Sequence, residues 1–373
     1  MRHSAGLSDI AVLEADRWEV LDPLQDEWNR LLAESAGDTI FLRHEWLRLW
    51  WKHFAAGRRL AVFLARRGGR LVAALPLMEF SRPRARIPVI TLQSLTNYHS
   101  FRFNAICAPG EEAALEAIWA ALRTRERPWD VVRLEEVPAD VPALQPLLRA
   151  AERDGFPVGA WRGAHVPYLP IEGTWEDHLA KLSRNMRANL RRRYRQLREK
   201  GEVRFRCVSA PEEVAEALRI GLPLEGSGWK ERQGSAIVSN PTLLGFYSEW
   251  AAVAAENGWL RLSFLEVAGA PVAFDFSTQY AGRYYDLKMG YDPNWSRLSV
   301  GQLLKAEILR RCFEADGTRE YDFLGETMKA KDDWAPMKRG HDWHFIYVNT
   351  AFGRALHFAK FTAAPIAKRL LRR

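Results

Sequence analysis

The chain has 373 residues, 47% hydrophobic and 27% charged, with 54 Lys and Arg against 46 Asp and Glu for a formal net charge of +8. So large an apolar fraction excludes intrinsic disorder, and at roughly 100–200 residues per domain the length fits two domains. Cys107, Cys207 and Cys312 lie far apart, which excludes a disulfide framework and a clustered metal site, and no apolar run reaches the roughly 18 residues of a membrane span.

In chain order, the charge-interrupted segment MRHSAGLSDIAVLEADRW does not read as a signal peptide, so a reducing cytoplasm is the expected compartment. Residues 60–77, LAVFLARRGGRLVAALPL, read as two alternating apolar strands about a Gly turn, and WDVVRLEE at 129–136 reads as a strand preceded by a helix. GFPVGAWRGAHVP, 155–167, carries the Pro and Gly expected of a linker. Thr174 and Asp177 then form a capping-box pattern that opens a helix, and Gly201 closes it. Leu179, Leu182, Met186, Leu190, Tyr194 and Leu197 give this helix one apolar stripe. Arg184, Arg187, Arg191, Arg195 and Arg198 form a second stripe, displaced by about two residues or roughly 200°.

Residues 181–206 hold eleven Lys and Arg against two Glu, a local +9 that leaves the rest of the chain at −1. Guanidiniums in register with so little acid repel one another unless an anion sits among them, phosphate being the best geometric match. Arg184, Arg187, Arg191 and Arg195 are therefore the candidate anion-binding residues.

Further on, a strand is expected at 203–208, helical segments near 211–220 and 241–257, and strands at 259–267, 271–280 and 283–290. A helix at 301–315, a strand at 320–324 and a last strand at 344–349 follow. Residues 260–277, LRLSFLEVAGAPVAFDFS, lie over 60–77 without a gap, matching at Leu60/Leu260, Gly69/Gly269, Val72/Val272 and Ala73/Ala273. Two copies of one α/β (α+β) unit are the economical explanation, each a mixed, mostly antiparallel sheet flanked by helices. The expected domains are 1–160 and 161–350. A basic amphipathic tail, 351–373, has Phe352, Leu356, Phe358, Phe361, Leu370 and Leu371 on its apolar side. Such a tail suits either docking on its own domain or peripheral contact with an anionic membrane on its inner face.

Between the third strand and its helix lies DPNWSRLSVGQLLKAEIL, 292–309. Ser299, Val300, Gly301, Gln302 and Leu303 would stand at a helix N-terminus, where unpaired N–H groups favour an anion, with Arg297 adding a charge-assisted contact. There is no Gly-x-Ser-x-Gly, Walker loop or dinucleotide fingerprint, which removes support for serine hydrolase, NTPase and Rossmann readings. HDWH at 341–344 is a poor metal signal, and no metal is expected.

With these elements placed, the chain resembles the GNAT superfamily of acyltransferases, in the double-domain branch that includes CelD-like acyltransferases and, more distantly, FemAB aminoacyl transferases. The resemblance is carried by FLRHEWLRLWW (41–51), LSRNMRANLRRRYRQLREKG (182–201), LEGSGWKERQGSAI (224–237), PVAFDF (271–276), YYDLKMGYDPNWSRLSVGQLL (284–304) and YDFLGETMKAKDDW (321–334). It implies tandem GNAT-like domains, an acyl-CoA donor between splayed strands of the second, and a pyrophosphate on the loop at 297–304. The superfamily's usual Arg/Gln-x-x-Gly-x-Gly/Ala is altered here, since RLSVGQ sets Arg297 one residue further from Gly301 and puts Leu303 where a second small residue would stand.

The resemblance also implies backbone N–H groups within YYDLKMG as donors to the oxyanion. Asp275, alone in an apolar strand, and Glu225 are candidate general bases. Lys288 is expected to pair with Asp275, Asp286 or Asp322, Tyr291 to protonate the leaving thiolate, and His99 to reach the cleft from the first domain. The expected activity is acyl-CoA-dependent transfer to an amine or hydroxyl of a polysaccharide precursor or a lipid-like acceptor, including a long-chain amine as in ceramide formation. The alternatives are a FemAB-like transferase using aminoacyl-tRNA and a non-catalytic anion-binding module.

Overall fold

A computed structural model of the chain describes residues 9–84, 87–227, 236–314 and 317–371. Residues 228–235 of the quoted segment 224–237 lie outside these. The chain divides into two compact units, one running to Ala164 and resuming at Gly340, the other spanning His165–Arg339.

The first unit begins with β1 (Ile10–Ala15), α1 (Gln25–Glu34), α2 (His44–Phe54), β2 (Arg59–Arg67), β3 (Arg70–Arg84), β4 (Ile87–Ser94), β5 (Ile106–Cys107), α3 (Glu112–Arg123), β6 (Val131–Pro138), α4 (Gln145–Arg153) and the start of β7 (Val158–Pro170). Gly68 and Gly69, with φ of 54° and 82°, supply the two left-handed residues that a tight hairpin between β2 and β3 needs. Strands β1 to β4 pair antiparallel, and α3 then carries the chain to β6, which lies parallel to β4.

The second unit repeats this plan. It holds α5 (Trp175–Lys181), α6 (Arg184–Arg198), β8 (Val203–Val208), α7 (Val214–Gly226), α8 (Pro241–Glu256), β9 (Leu260–Val267), β10 (Ala270–Tyr280), β11 (Arg283–Tyr291), α9 (Val300–Glu314), β12 (Glu320–Asp322), α10 (Lys329–Asp332) and the start of β13 (Met337–Tyr347). Strands β8 to β11 pair antiparallel, β12 lies parallel to β11, and the end of β7 closes antiparallel on β12. The β9–β10 turn at Ala268 and Gly269 has φ of 50° and 79°, like its counterpart at 68–69. The internal repeat is therefore a repeat of fold.

Helices cover both faces of this second sheet. On one face, Leu190 and Leu197 of α6 and Val300, Leu304 and Ile308 of α9 pack with Leu265, Ala273, Tyr284 and Tyr321. On the other, Tyr247 of α8 meets Phe276 at 5.4 Å between ring centroids, and Gly221 of α7 sits so close that an added Cβ would lie 2.4 Å from the Phe274 ring.

Two expectations need correction. The single helix read over 174–201 is two. The Thr174–Asp177 capping box opens α5, Leu182 is extended with ψ 154°, and Ser183 caps α6 by accepting the Met186 N–H at 3.2 Å. The apolar spacing continues across the break, which hid it. The segment 155–167, read as a linker, is mostly strand β7. Its glycines serve packing: a Cβ on Gly163 would lie 2.7 Å from the His341 carbonyl oxygen, and one on Gly159 would lie 2.5 Å from the Phe361 ring.

Residues from Gly340 onward group with the first unit because β13 takes an antiparallel register on β6, from His341 opposite Pro138 to Tyr347 opposite Val131. Beyond it come α11 (Ala351–Phe358), a π-helical turn at Ala359–Ala363 and α12 (Ala364–Leu371). Phe352, Leu356 and Phe361 pack against Val89, Val131, Phe345 and Tyr347, so this part of the tail docks on its own unit, while Phe358 and Ile366 stay exposed. No helix among the described residues is long and apolar enough to cross a membrane.

Candidate active site

The parallel strands of the second unit part early. β11 pairs with β12 only over Arg283–Tyr285 against Glu320–Asp322, whereas β11 runs on to Tyr291 held by β10 alone. A bulge sets Ser277 opposite Asp286 but Phe276 opposite Lys288, leaving Leu287 as the extra residue. The Asp292 N–H donates to the Val272 carbonyl at 2.9 Å, so strand alternation turns the backbone of Met289 and Tyr291 toward the open edge. There the Tyr291 carbonyl accepts from Ser227 Oγ at 2.6 Å. Gly290 allows the end of α7 to rest on the strand, since an added Cβ would lie 2.2 Å from the Leu224 carbonyl oxygen and 2.3 Å from Glu225 Cα. Gly290→Ala is expected to cost about 1–3 kcal/mol in a urea titration, because backbone and not a flexible side chain must move.

The start of α9 stands beside this edge. Ser299 has φ 49°, and its carbonyl accepts from the N–H groups of Gln302 at 2.8 Å and Leu303 at 3.2 Å. Those two amides are therefore occupied, and Val300 and Gly301 remain as the opening amides without a backbone acceptor among the described residues. An added Cβ on Gly301 would lie 3.2 Å from the Tyr291 ring. The Gln302 side chain is committed to the fold: its Oε1 accepts from Trp334 Nε1 at 2.6 Å and its Nε2 donates to the Ala330 carbonyl at 3.5 Å. Leu303 is buried in the core, and Arg297 is exposed.

Beneath the parting lies a buried charge cluster. Lys305 Nζ, reaching from α9, donates to Asp286 Oδ2 at 2.5 Å, to Asp275 Oδ2 at 3.3 Å and to Tyr321 Oη at 2.5 Å. Ser277 Oγ donates to the other oxygen of Asp275. Burial raises the Asp275 pKa, with the neighbouring Asp286 adding to the rise against the pull of Lys305. Burial also pulls Asp286 upward, but the Lys305 charge and hydrogen bond carry it below the usual carboxylate value. Lys305 in turn stays charged, because the two carboxylates outweigh its own desolvation. Asp275 has no exposed surface and is fully engaged, so it reaches an acceptor only through this network.

Lys288 is expected from the sequence to pair with Asp275, Asp286 or Asp322, but Lys305 is the lysine that holds Asp275 and Asp286. The bulge at Leu287 reverses the alternation, and Lys288 instead lies on the opposite face, 5.7 Å above the Tyr247 ring. Lys305, the residue that does reach Asp275, was not singled out in the sequence. Neither was Lys331, whose Nζ donates to the Leu324 carbonyl just past β12. Burial lowers the Lys331 pKa and the Lys305 charge adds to this, while Asp286, Asp322 and Asp332 oppose it. Its electrostatic partners Asp286 and Asp322 place it where the two strands separate.

Glu225 is completely buried at the end of α7, its Oε2 accepting the Ile237 N–H at 2.9 Å. Tyr291 is 38% exposed beside α9. His99 belongs to the first unit, where its ring stacks on Phe54 at 5.9 Å. Arg184, Arg191 and Arg195 are exposed along α6, with Arg187 half-buried. No group of three or more metal-ligating side chains occurs among the described residues.

Both units hold an antiparallel meander that hands over through a helix to a parallel strand, and in the second the parallel pair opens beside the N-terminus of that helix. Residues 184–334 match the family described as "Acetyltransferase (GNAT) domain". The solved structure of FemX is 12% identical, covers 90% of this chain and 98% of its own, and superposes with a TM-score of 0.58. A conserved protein of unknown function from Bacteroides thetaiotaomicron is 13% identical with a TM-score of 0.57, covering 90% of this chain and all of its own. The C-terminal domain of a protein assigned as a lysylphosphatidylglycerol synthetase from Agrobacterium fabrum is 11% identical with a TM-score of 0.52, covering 90% and 94%. At these identities the likeness is one of fold. No curated protein matches the chain by sequence. Residues 184–334 thus match the GNAT domain family, and over the whole chain the likeness to these solved structures is one of fold.

Proposed function

We propose that the second unit transfers an acyl group from acyl-CoA to an amine or hydroxyl, on a polysaccharide precursor or a lipid-like acceptor such as a long-chain amine. The observation that carries this reading is the parting of β11 from β12 beside the opening of α9. A strand edge with outward backbone amides suits a thioester carbonyl, whose oxygen gains negative charge as it is attacked. The Val300 and Gly301 amides, at the positive end of the helix dipole, suit the pyrophosphate of the donor, with Arg297 adding charge from solvent.

In the reaction, the acceptor lone pair attacks the thioester carbon, the new C–N or C–O bond forms and the C–S bond breaks. The acceptor proton passes to Lys331, whose neutral form burial favours, and Tyr291 supplies a proton to the departing thiolate. Asp286 and Lys305, with Asp322 and Asp332, set the field in which Lys331 titrates, and Asp275 shares the Lys305 cation. Glu225 positions the end of α7 against β11.

Isothermal titration with acyl-CoAs of increasing chain length is expected to give one saturable site. Absence of binding at every length would remove acyl-CoA as the donor. Aminoacyl-tRNA is favoured as a second donor by one observation, the exposed arginines of α6, and it predicts a steep salt dependence of binding with no affinity for CoA.

A further inference from the structure

Between α5, α6 and α9 the second unit holds a cleft of about 420 Å³, within the usual range for small-molecule sites. Its floor is formed by Trp175, Leu179, Leu190, Tyr194 and Leu303, and its rim carries Arg187, Arg191, Arg195 and Arg198. α9 turns Ala306 and Glu307 toward this cleft and Lys305 toward the sheet, so the cleft is separate from the buried charge cluster.

The rim is unbalanced in charge. Among the described residues, none of the four arginines forms an ion pair with a carboxylate, and Glu307, the one acid lining the cleft, is already held by Arg310 at 2.7 Å. A merely solvated helix face does not need a floor of tryptophan and leucine. A nucleic-acid backbone would use the guanidiniums, but single strands favour free aromatic platforms on which bases stack, whereas here Trp175 is buried against Trp334 and Tyr194 carries Arg198 over its ring at 4.9 Å. A ligand that uses both parts has an anionic head and an apolar chain.

We propose that this cleft binds an anionic amphiphile, a single alkyl chain lying on the leucine floor and a phosphate monoester head held by Arg187, Arg191 and Arg195. The proposal does not rest on the acyl-transfer reading, since it concerns the outer flank of α9 and needs no donor on the strand edge.

The test is calorimetric titration of the full chain with dodecyl phosphate below its micelle concentration, beside inorganic phosphate, dodecyltrimethylammonium and bulk tRNA. Dodecyl phosphate is expected to bind one to one, at least tenfold tighter than inorganic phosphate, with no binding of the cationic amphiphile. The pair Arg191→Ala and Arg195→Ala is expected to weaken it tenfold or more without shifting the thermal melt, because both side chains are exposed. Ala306→Phe is expected to fill the cleft and weaken dodecyl phosphate while leaving inorganic phosphate unchanged. Equal binding of dodecyl phosphate and inorganic phosphate would overturn the proposal, and so would tRNA binding lost in the arginine pair with no affinity for dodecyl phosphate.

Discussion

Replacing Lys305 by Met is expected to destabilise the protein by about 3–5 kcal/mol near neutral pH, since it leaves two buried carboxylates without their common cation. The methionine nearly matches the aliphatic length, so the loss measures charge more than packing. Its pH dependence follows from the two carboxylates. Asp286 is held below its unfolded pKa, so its contribution is present above about pH 4 and is lost as pH falls through the folded value. Asp275 is shifted the other way: with its folded pKa raised by burial, stability is lost as pH rises from its unfolded value through the folded one. Without Lys305 both carboxylates are pushed up, and both then bear the second sign. The variant should therefore lose more stability at pH 8 than at pH 5, as read from urea midpoints of wild type and Lys305→Met at each pH. An equal loss at the two values would show that the network is not held by charge. Asp275→Asn, which removes one of the two like charges and keeps the shape, is expected to be tolerated better.

Much of this architecture can be read from alternation alone. The hairpins at β2–β3 and β9–β10 announce themselves by period-2 apolar runs about left-handed turns, and the repeat of that pattern announces two units. What escapes such reading depends on partners distant in sequence. The glycines of β7 look like linker residues because what they make room for, the His341 carbonyl and the Phe361 ring, lies nearly two hundred residues further on. The helix break at Leu182 leaves the apolar stripe in step, so it leaves no trace in periodicity. At the site, Tyr284, Asp286 and Lys288 would share one face of an unbroken strand, and the bulge at Leu287 turns Lys288 away. That single extra residue moves the cation for Asp275 from β11 to α9. Lys305 itself sits in a helix where a charged residue ordinarily reads as solvent-facing, and only the fold reveals that it points at the sheet.

The same reasoning bears on Lys331. It lies in the largely charged segment KAKDDW, yet the fold half-buries it where β11 and β12 separate, its amine tied to the Leu324 carbonyl. A lysine whose ammonium is disfavoured by burial holds a neutral amine at lower pH than a surface lysine, as a proton acceptor for an incoming amine or alcohol requires. Lys331→Met should lower the rate of thiol release from acyl-CoA in the presence of an amine acceptor by about 10²–10⁴-fold, the usual worth of positioned acid–base catalysis. Donor affinity in the same titrations should stay within a few-fold. The wild-type rate should rise with pH through the lowered lysine pKa, and that rise should vanish in the variant. The neighbouring network supplies the control. Asp286 favours the charged ammonium, so Asp286→Asn should shift the pH–rate curve toward lower pH while leaving Lys331 in place. A fall in rate with an unmoved pH profile in Asp286→Asn would mean that the carboxylate only holds Lys305, and that proton transfer is managed elsewhere on the strand edge.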